Sequence, residues 1–160
     1  MGMVLYVRRV ADDAVPGDPD KFDEFFFDEE AQAAGDLIDF DKAWHALHFL
    51  LTGSAEESDG PLGLLLGKGE PVGEDAGYGP PLLVSAAGMR GFHEALAGLS
   101  DEDLRRRYDP RAMVAADVYL ADSLAEEEDS WDYVSQGIPA LRRLAERCVQ
   151  QNSGAIIFMS

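Results

Sequence analysis

Apolar and polar residues follow two different periods along this chain, and together they predict strands at both ends with helices between them. Residues 3–10 combine β-branched and aromatic side chains, and residues 155–159 are almost wholly apolar, so both segments are typical of strands. Apolar side chains recur at helical spacing over four longer segments, which predicts helices at 20–34, 39–52, 85–99 and 130–151. Shorter elements are expected between them, namely strands at 82–84 and 118–120 and helices at 100–108 and 109–115.

The helix predicted at residues 39–52 is the centre of this arrangement. Asp39 is a good N-cap, and Gly53 follows the last apolar residue, where a left-handed glycine commonly ends a helix. Most of the circumference of this helix is apolar, which indicates that it is buried. The exception is a narrow polar stripe, flanked by Trp44, whose members are Asp41, His45, His48 and Thr52.

Two segments interrupt the helical pattern. Residues 53–81 are crowded with glycine and proline and predict a long loop, with residues 62–66 as its one short ordered piece of about one helical turn. Tyr78 stands between two glycines of this loop, where an aromatic side chain either lines a pocket or plugs the core. Pro139 is expected to kink the helix predicted at 130–151 or to divide it into two.

The length of the chain and the order of its elements predict the fold class. A chain of 160 residues can bury a sizeable core, and no low-complexity linker divides it. We therefore predict a single α+β domain over residues 1–160. Its sheet is expected to be small and mixed, to include the N- and C-terminal strands, and to be packed by several helices.

The strong negative charge of the chain restricts its partners. The formal net charge is −18 at pH 7. A surface this negative repels phosphate backbones and anionic lipid, which argues against binding to nucleic acid or to a membrane. It is compatible with solubility, with a bound cation or with a basic protein partner.

The compartment follows from the cysteine content and the N-terminal residues. The single Cys148 excludes an intrachain disulfide, so nothing requires an oxidising compartment. The first residues show no basic region before an apolar core, and no apolar run approaches the length that spans a bilayer. A cytoplasmic location is expected.

The polar stripe is the one group of side chains from which chemistry can be argued. Two imidazoles and a carboxylate can bind a metal ion or move protons. His45 and His48, however, are three residues apart and lack the glutamate of the zinc-protease motif. The favoured role for both histidines is to make structural hydrogen bonds or to line a groove, with chemistry as the alternative. The sequence also lacks a phosphate-binding loop and a nucleophile elbow, so neither a cofactor nor a metal ion is expected.

Several blocks of the sequence resemble a known family. They include the opening Met-Gly-Met, the block at residues 41–53, the glycine-rich segment at 73–80 and the region at 104–113 with its Tyr-Asp-Pro. With the acidic stretch before the last helix, they make the chain similar to the YfbM-like family of uncharacterised bacterial proteins, domain of unknown function 1877. The resemblance covers nearly the full length. It implies a single α+β domain and no activity, since the family has none assigned.

Two functional hypotheses remain at this point. The first is a non-enzymatic module that binds a protein partner through its acidic face or through a groove near His48 and Tyr78, with the oligomeric state open. The second is a small-ligand-binding or hydrolase-like protein with one polar cleft. The residues expected around that cleft are Asp41, Trp44, His45, His48 and Tyr78.

Overall fold

The computed structural model of the chain describes residues 2–11, 15–16, 18–67, 69–75 and 77–160. The elements of the first half are β1 (Leu5–Val10), α1 (Pro19–Phe26), α2 (Glu29–Ala33), β2 (Leu37–Asp39), α3 (Trp44–Thr52), β3 (Glu70–Pro71) and β4 (Leu82–Val84). Those of the second half are α4 (Ala86–Ala97), α5 (Asp101–Arg107), α6 (Pro110–Ala115), α7 (Ala121–Glu126), α8 (Ser130–Ser135), α9 (Gly137–Gln150) and β5 (Gly154–Met159).

The described strands form one sheet in the order β2-β1-β5-β4-β3. β1 and β5, which come from opposite ends of the chain, pair over their full length, with Leu5 opposite Met159 and Val10 opposite Gly154. The predicted α+β class and the inclusion of both terminal strands are therefore confirmed. Every described strand pair is antiparallel, where a mixed sheet was expected.

Helices cover both faces of the sheet. Successive residues of a strand point to opposite faces, so the same strands contribute side chains to two separate cores. Val7 and Ile157 belong to the larger core, which they share with α3, α4, α5 and α9. Phe158 points the other way and packs with Phe22 and Phe26 of α1 in a smaller aromatic cluster. The larger core carries the candidate site.

Two of the predicted helices are each divided into two. The segment at 20–34 breaks after α1, because the side chain of Asp28 accepts the N–H of Glu30 and caps a new helix. The segment at 130–151 is divided as expected, but the break falls at Gln136. Pro139 then occupies the first turn of α9, where its missing N–H removes no helical hydrogen bond.

The helix predicted from Asp39 begins only at Trp44, and Ala43 at its cap makes no side-chain hydrogen bond. Residues 37–39 pair with β1 instead. Asp41 follows in a turn with φ +47°, so the predictions that Asp39 caps the helix and that Asp41 shares a helical face with the histidines were wrong. Gly53 ends α3 in the left-handed conformation, as predicted.

Smaller corrections concern three short segments. The strand predicted at 118–120 is a turn that leads into α7, with Leu120 at φ +64°. The piece at 62–66 forms no helix, although Leu64 and Leu65 are buried. The two-residue strand β3 was not predicted. Within the described ranges, no helix has both the length and the apolar character that crossing a bilayer requires.

Candidate functional site

The two histidines of α3 hold the loop that follows the helix. Nε2 of His45 donates to the carbonyl of Ala55 at 2.8 Å, and Nε2 of His48 donates to the carbonyl of Glu56 at 2.7 Å. Nδ1 of His45 accepts the backbone N–H of Tyr119 at 2.9 Å. Because that N–H can only donate, His45 carries its hydrogen on Nε2. Both imidazoles therefore contact backbone rather than an open pocket.

His48 is the most enclosed polar side chain of this region. It is 0 % exposed, and its Nδ1 has no hydrogen-bond partner among the described residues. Burial lowers the pKa of His48; the hydrogen bond to the carbonyl of Glu56 opposes this shift, and the neighbouring His45 adds to it. His48 is therefore a neutral imidazole at pH 7.

Trp44 is the third candidate residue on this side of the molecule. Its ring stacks on that of His45, with the centroids 4.9 Å apart, and its indole N–H donates to the carbonyl of Met3 at 3.0 Å. Trp44 is 4 % exposed. It joins the N-terminal segment to α3 and packs as a core residue.

Asp41 lies apart from the histidines, in the turn between β2 and α3. The carboxylate of Asp39 accepts the N–H of Asp41 at 2.7 Å and fixes this turn. The carboxylate of Asp41 accepts the hydroxyl of Tyr133 at 2.7 Å, and the same hydroxyl accepts the N–H of Lys42 at 3.3 Å. Tyr133 thus links α8 to the turn between β2 and α3.

A cleft of about 180 Å³ opens between this turn and the α8–α9 junction. Its polar lining residues are two aspartates, a tyrosine and a glutamine, which are exposed or half-buried, and most of its apolar lining residues are buried. We refer to it as the Asp41 cleft. The residues that line it are Ile38, Asp39, Phe40, Asp41, Ala43, Leu47, Tyr133, Gln136, Gly137 and Ala140.

The hydroxyl of Tyr133 is held in its protonated form. Burial raises the pKa of Tyr133, and the hydrogen bond and the negative charge of Asp41 raise it further, to about 12. At neutral pH the phenol is therefore a hydrogen-bond donor to Asp41. It is unsuited to act as a general base, whose pKa should lie near the working pH.

Gly137 allows the α8–α9 junction to approach α3 this closely. A Cβ atom at this position would lie 2.8 Å from Cδ1 of Leu47 and 2.9 Å from Cδ1 of Phe40. Such distances are shorter than van der Waals contact allows, so a side chain at this position would displace the buried side chains of Leu47 and Phe40.

Tyr78 lies neither with the histidines and tryptophan of α3 nor in the Asp41 cleft. Its side chain is 46 % exposed. Its loop is shaped by Asp75, whose carboxylate accepts the N–H groups of Gly77 and Gly79 at 2.7 and 3.0 Å. The five predicted residues thus fall into three places, namely a histidine–tryptophan group on α3, Asp41 in its cleft and Tyr78 on a loop.

Sequence reasoning missed the residues that complete the Asp41 cleft. Tyr133 and Gln136 come from a helix far along the chain, and no local spacing links them to the turn at Asp41. The sequence did contain one signal for this wall of the cleft. Pro139 implies a break in the last predicted helix, and therefore a helix junction near residue 136.

A second polar centre ties the sheet to α9. Asp36, which is 5 % exposed, accepts hydrogen bonds from Arg9 at 2.9 and 3.0 Å and from Arg147 at 2.6 and 3.1 Å. Burial alone would raise the pKa of Asp36, but the bonds and charges of the two guanidinium groups outweigh it and lower the pKa to about 2. Arg9 also donates to the hydroxyl of Ser153 at 3.2 Å.

The remaining candidates for chemistry are a metal-binding cluster and the single cysteine. No three His, Cys, Asp or Glu side chains among them converge in a way that could hold a metal ion. Cys148 is buried, and burial raises the pKa of its thiol to about 12, which disfavours the reactive thiolate.

Comparison with known proteins places the chain in a family. The model of the family described as Domain of unknown function (DUF1877) matches residues 1–158. The chain belongs to this family. The resemblance noted in the sequence is thereby confirmed, and the family supplies no function.

A solved structure supports the same fold. The crystal structure of YfbM from Escherichia coli, a protein of unknown function, superposes with a TM-score of 0.63 at 16 % sequence identity. The alignment covers 98 % of this chain and 99 % of that one. At this identity the likeness concerns the fold alone. No curated protein matches the chain.

Proposed function

We propose that this chain is a non-enzymatic binding module that receives a basic side chain of a protein partner in the Asp41 cleft. The observation that carries the proposal is the lining of the cleft, in which two exposed aspartates adjoin buried apolar residues. A lysine or arginine side chain can lie across this lining, with its apolar stem on the apolar residues and its charged tip at the exposed carboxylates.

The size of the cleft favours one side chain over a free small molecule. Its volume is about 180 Å³. Pockets for drug-sized ligands and cofactors commonly measure about 300–1,000 Å³. A single long side chain, anchored by the partner around it, is the better match.

The carboxylates retain acceptor capacity for a cation. Asp39 uses Oδ1 for the N–H of Asp41, and Asp41 uses Oδ2 for the hydroxyl of Tyr133. The other carboxylate oxygen of each residue makes no hydrogen bond within the described part of the chain. An arginine, with five N–H donors in a planar fork, can reach two such oxygens together.

The charge of the chain supports the same partner. A formal net charge of −18 attracts basic proteins over long range and accelerates their encounter. We also propose a cytoplasmic location, because a single buried cysteine, which cannot form an intrachain disulfide, suits a reducing compartment.

The alternative of a hydrolase-like enzyme has less support. His45 and His48 contact the backbone of the following loop and do not line the cleft. The raised pKa of Tyr133, about 12, opposes its use as a base. Binding of a small ligand without chemistry remains the closest competitor, and the test below separates the two.

The test is a pull-down of host proteins on the immobilised chain and on two variants of equal charge. Asp39→Asn/Asp41→Asn changes the cleft but keeps the turn, because asparagine can accept the same N–H and tolerates positive φ. Glu94→Gln/Glu128→Gln removes the same charge from exposed positions outside the cleft.

We expect the wild type and the Glu94/Glu128 variant to recover the same protein in a salt-sensitive manner. The cleft variant should lose it. Equal recovery by all three proteins would show that bulk charge alone is responsible and would refute the cleft. Failure to recover any protein at low salt would refute the proposal that the chain binds a basic protein partner.

A further inference from the structure

We propose that the loop at residues 54–67 is a latch that opens when His48 takes up a proton. This inference concerns a different part of the molecule from the Asp41 cleft and does not depend on the function proposed above. It is based on the way in which the loop is bonded to α3 and on the single polar atom that this arrangement leaves unsatisfied.

The loop is held to α3 by side chains near the end of the helix. His45 and His48 donate to the consecutive carbonyls of Ala55 and Glu56. The hydroxyl of Thr52 contacts the carbonyl of Ser54 at 3.1 Å and accepts the N–H of Ser54 at 3.2 Å. A small group of side-chain hydrogen bonds therefore holds the start of the loop to α3, and one of them is made by the buried ring of His48.

The closed loop covers the apolar core. Leu64 and Leu65 are each 1 % exposed and belong to the larger core cluster, together with the apolar residues of α3. Residues 58–66 of the loop are closed on themselves, since the N–H of Ser58 donates to the carbonyl of Leu66 at 3.3 Å. A compact loop with joined ends can move as one unit.

His48 cannot accept a proton while the loop is closed without leaving a buried charge. Its Nε2 already donates to Glu56, so the proton would have to bind Nδ1, which is buried and faces no described acceptor. A new N–H at that place would have no partner. Opening the loop admits water to the ring and removes the penalty.

The surroundings of His48 offer no compensating charge. On α3 the nearest titratable group is His45, whose ring centroid lies 6.4 Å away and whose Nδ1 is occupied by the N–H of Tyr119. On α5, Arg107 donates to the carbonyls of Leu50 and Leu51 at the end of α3. Among the described residues, no carboxylate makes a hydrogen bond to the ring of His48. The acidic residues of the loop and of α8 are all exposed, namely Glu56, Glu57, Asp59 and Asp132.

The size of the effect follows from the ordinary pKa of a solvated histidine, about 6.5. If only the open form takes up the proton, lowering the pH from about 7.5 to about 5.5 raises the ratio of open to closed loop about tenfold. Lowering the pH further increases this ratio by about tenfold per pH unit, until the closed form also binds a proton.

The test is hydrogen exchange followed by mass spectrometry at these two pH values, with protection factors corrected for intrinsic exchange. We expect protection at residues 56–66 to fall about tenfold at the lower pH, while the amides of β5 keep their protection. A parallel loss in β5 would indicate global unfolding and overturn the proposal, as would unchanged protection of the loop.

Two variants assign the effect to its residue. In His48→Gln an uncharged side-chain N–H replaces the imidazole donor to Glu56, so the pH dependence of the loop should vanish. His93→Gln removes the third histidine, which makes none of these contacts, and should behave as the wild type. Should His48→Gln fail to fold, the comparison of the loop with β5 in the wild type still shows whether the loop opens separately from the sheet at the lower pH. Retained pH dependence in a folded His48→Gln protein would overturn the role of His48.

Discussion

The carboxylate of Asp36 gives the most quantitative prediction for stability. Its pKa is lowered to about 2 from an ordinary value of 3.8, because Arg9 and Arg147 bind the charged form. One pKa unit corresponds to about 1.4 kcal/mol, so the charged form adds about 2 kcal/mol to the free energy of unfolding at neutral pH. Asp36→Asn should lose at least this amount, since it also leaves two guanidinium groups without their counter-charge.

The pH dependence fixes the sign of this effect. The folded pKa lies below the unfolded one, so the contribution is complete above about pH 4 and disappears as the pH falls towards 2. At about pH 3 roughly half of it remains, and the difference between wild type and Asp36→Asn should shrink by about 1 kcal/mol.

Urea denaturation monitored by circular dichroism at pH 7 and at about pH 3 measures both quantities. Asp101→Asn is the control, because the Asp101 side chain is 75 % exposed in its ion pair with Arg142 and should contribute less than about 1 kcal/mol. A loss below about 0.5 kcal/mol for Asp36→Asn at pH 7, or one that does not change with pH, would refute the reasoning.

Further predictions concern packing, caps and the thiol. Gly137→Ala should lower the free energy of unfolding by about 1–3 kcal/mol in thermal denaturation, since its Cβ has no room, whereas Gly91→Ala has open space on α4 and should raise it by up to about 1 kcal/mol. Ser100→Ala breaks the capping box with Asp103 and should cost about 1 kcal/mol in urea denaturation. Cys148 should not react with a thiol reagent in the native protein and should react fully in denaturant, because it is buried and its pKa is raised to about 12.

The elements that were predicted correctly are those whose signals are local. Ser85, Ser100 and Asp109 each accept an N–H from the first turn of the helix that follows, and each of these helices begins where its cap predicts. The strands β1 and β5 were recognised from their apolar composition, and their mutual pairing makes them the centre of the sheet.

The candidate site was predicted less well, because its position depends on contacts between distant segments. The backbone of residues 37–39 fits either a strand edge or the start of a helix, and pairing with β1 decides the matter. Of the five predicted residues, only Asp41 lines the cleft. The roles of the two histidines follow from the course of residues 54–56, whose carbonyls no sequence pattern places beside α3.

The departure of Asp41 from the predicted helix is also what creates the cleft. Had the helix begun at Asp39, Asp41 would have occupied its first turn on the same face as His45. Strand β2 instead ends at Asp39, and the following turn directs Asp41 towards Tyr133 on α8. The glycine at position 137 then lets the α8–α9 junction approach the same turn. The Asp41 cleft therefore arises where sheet pairing takes precedence over local helix preference, and the proposed function can be tested at that turn.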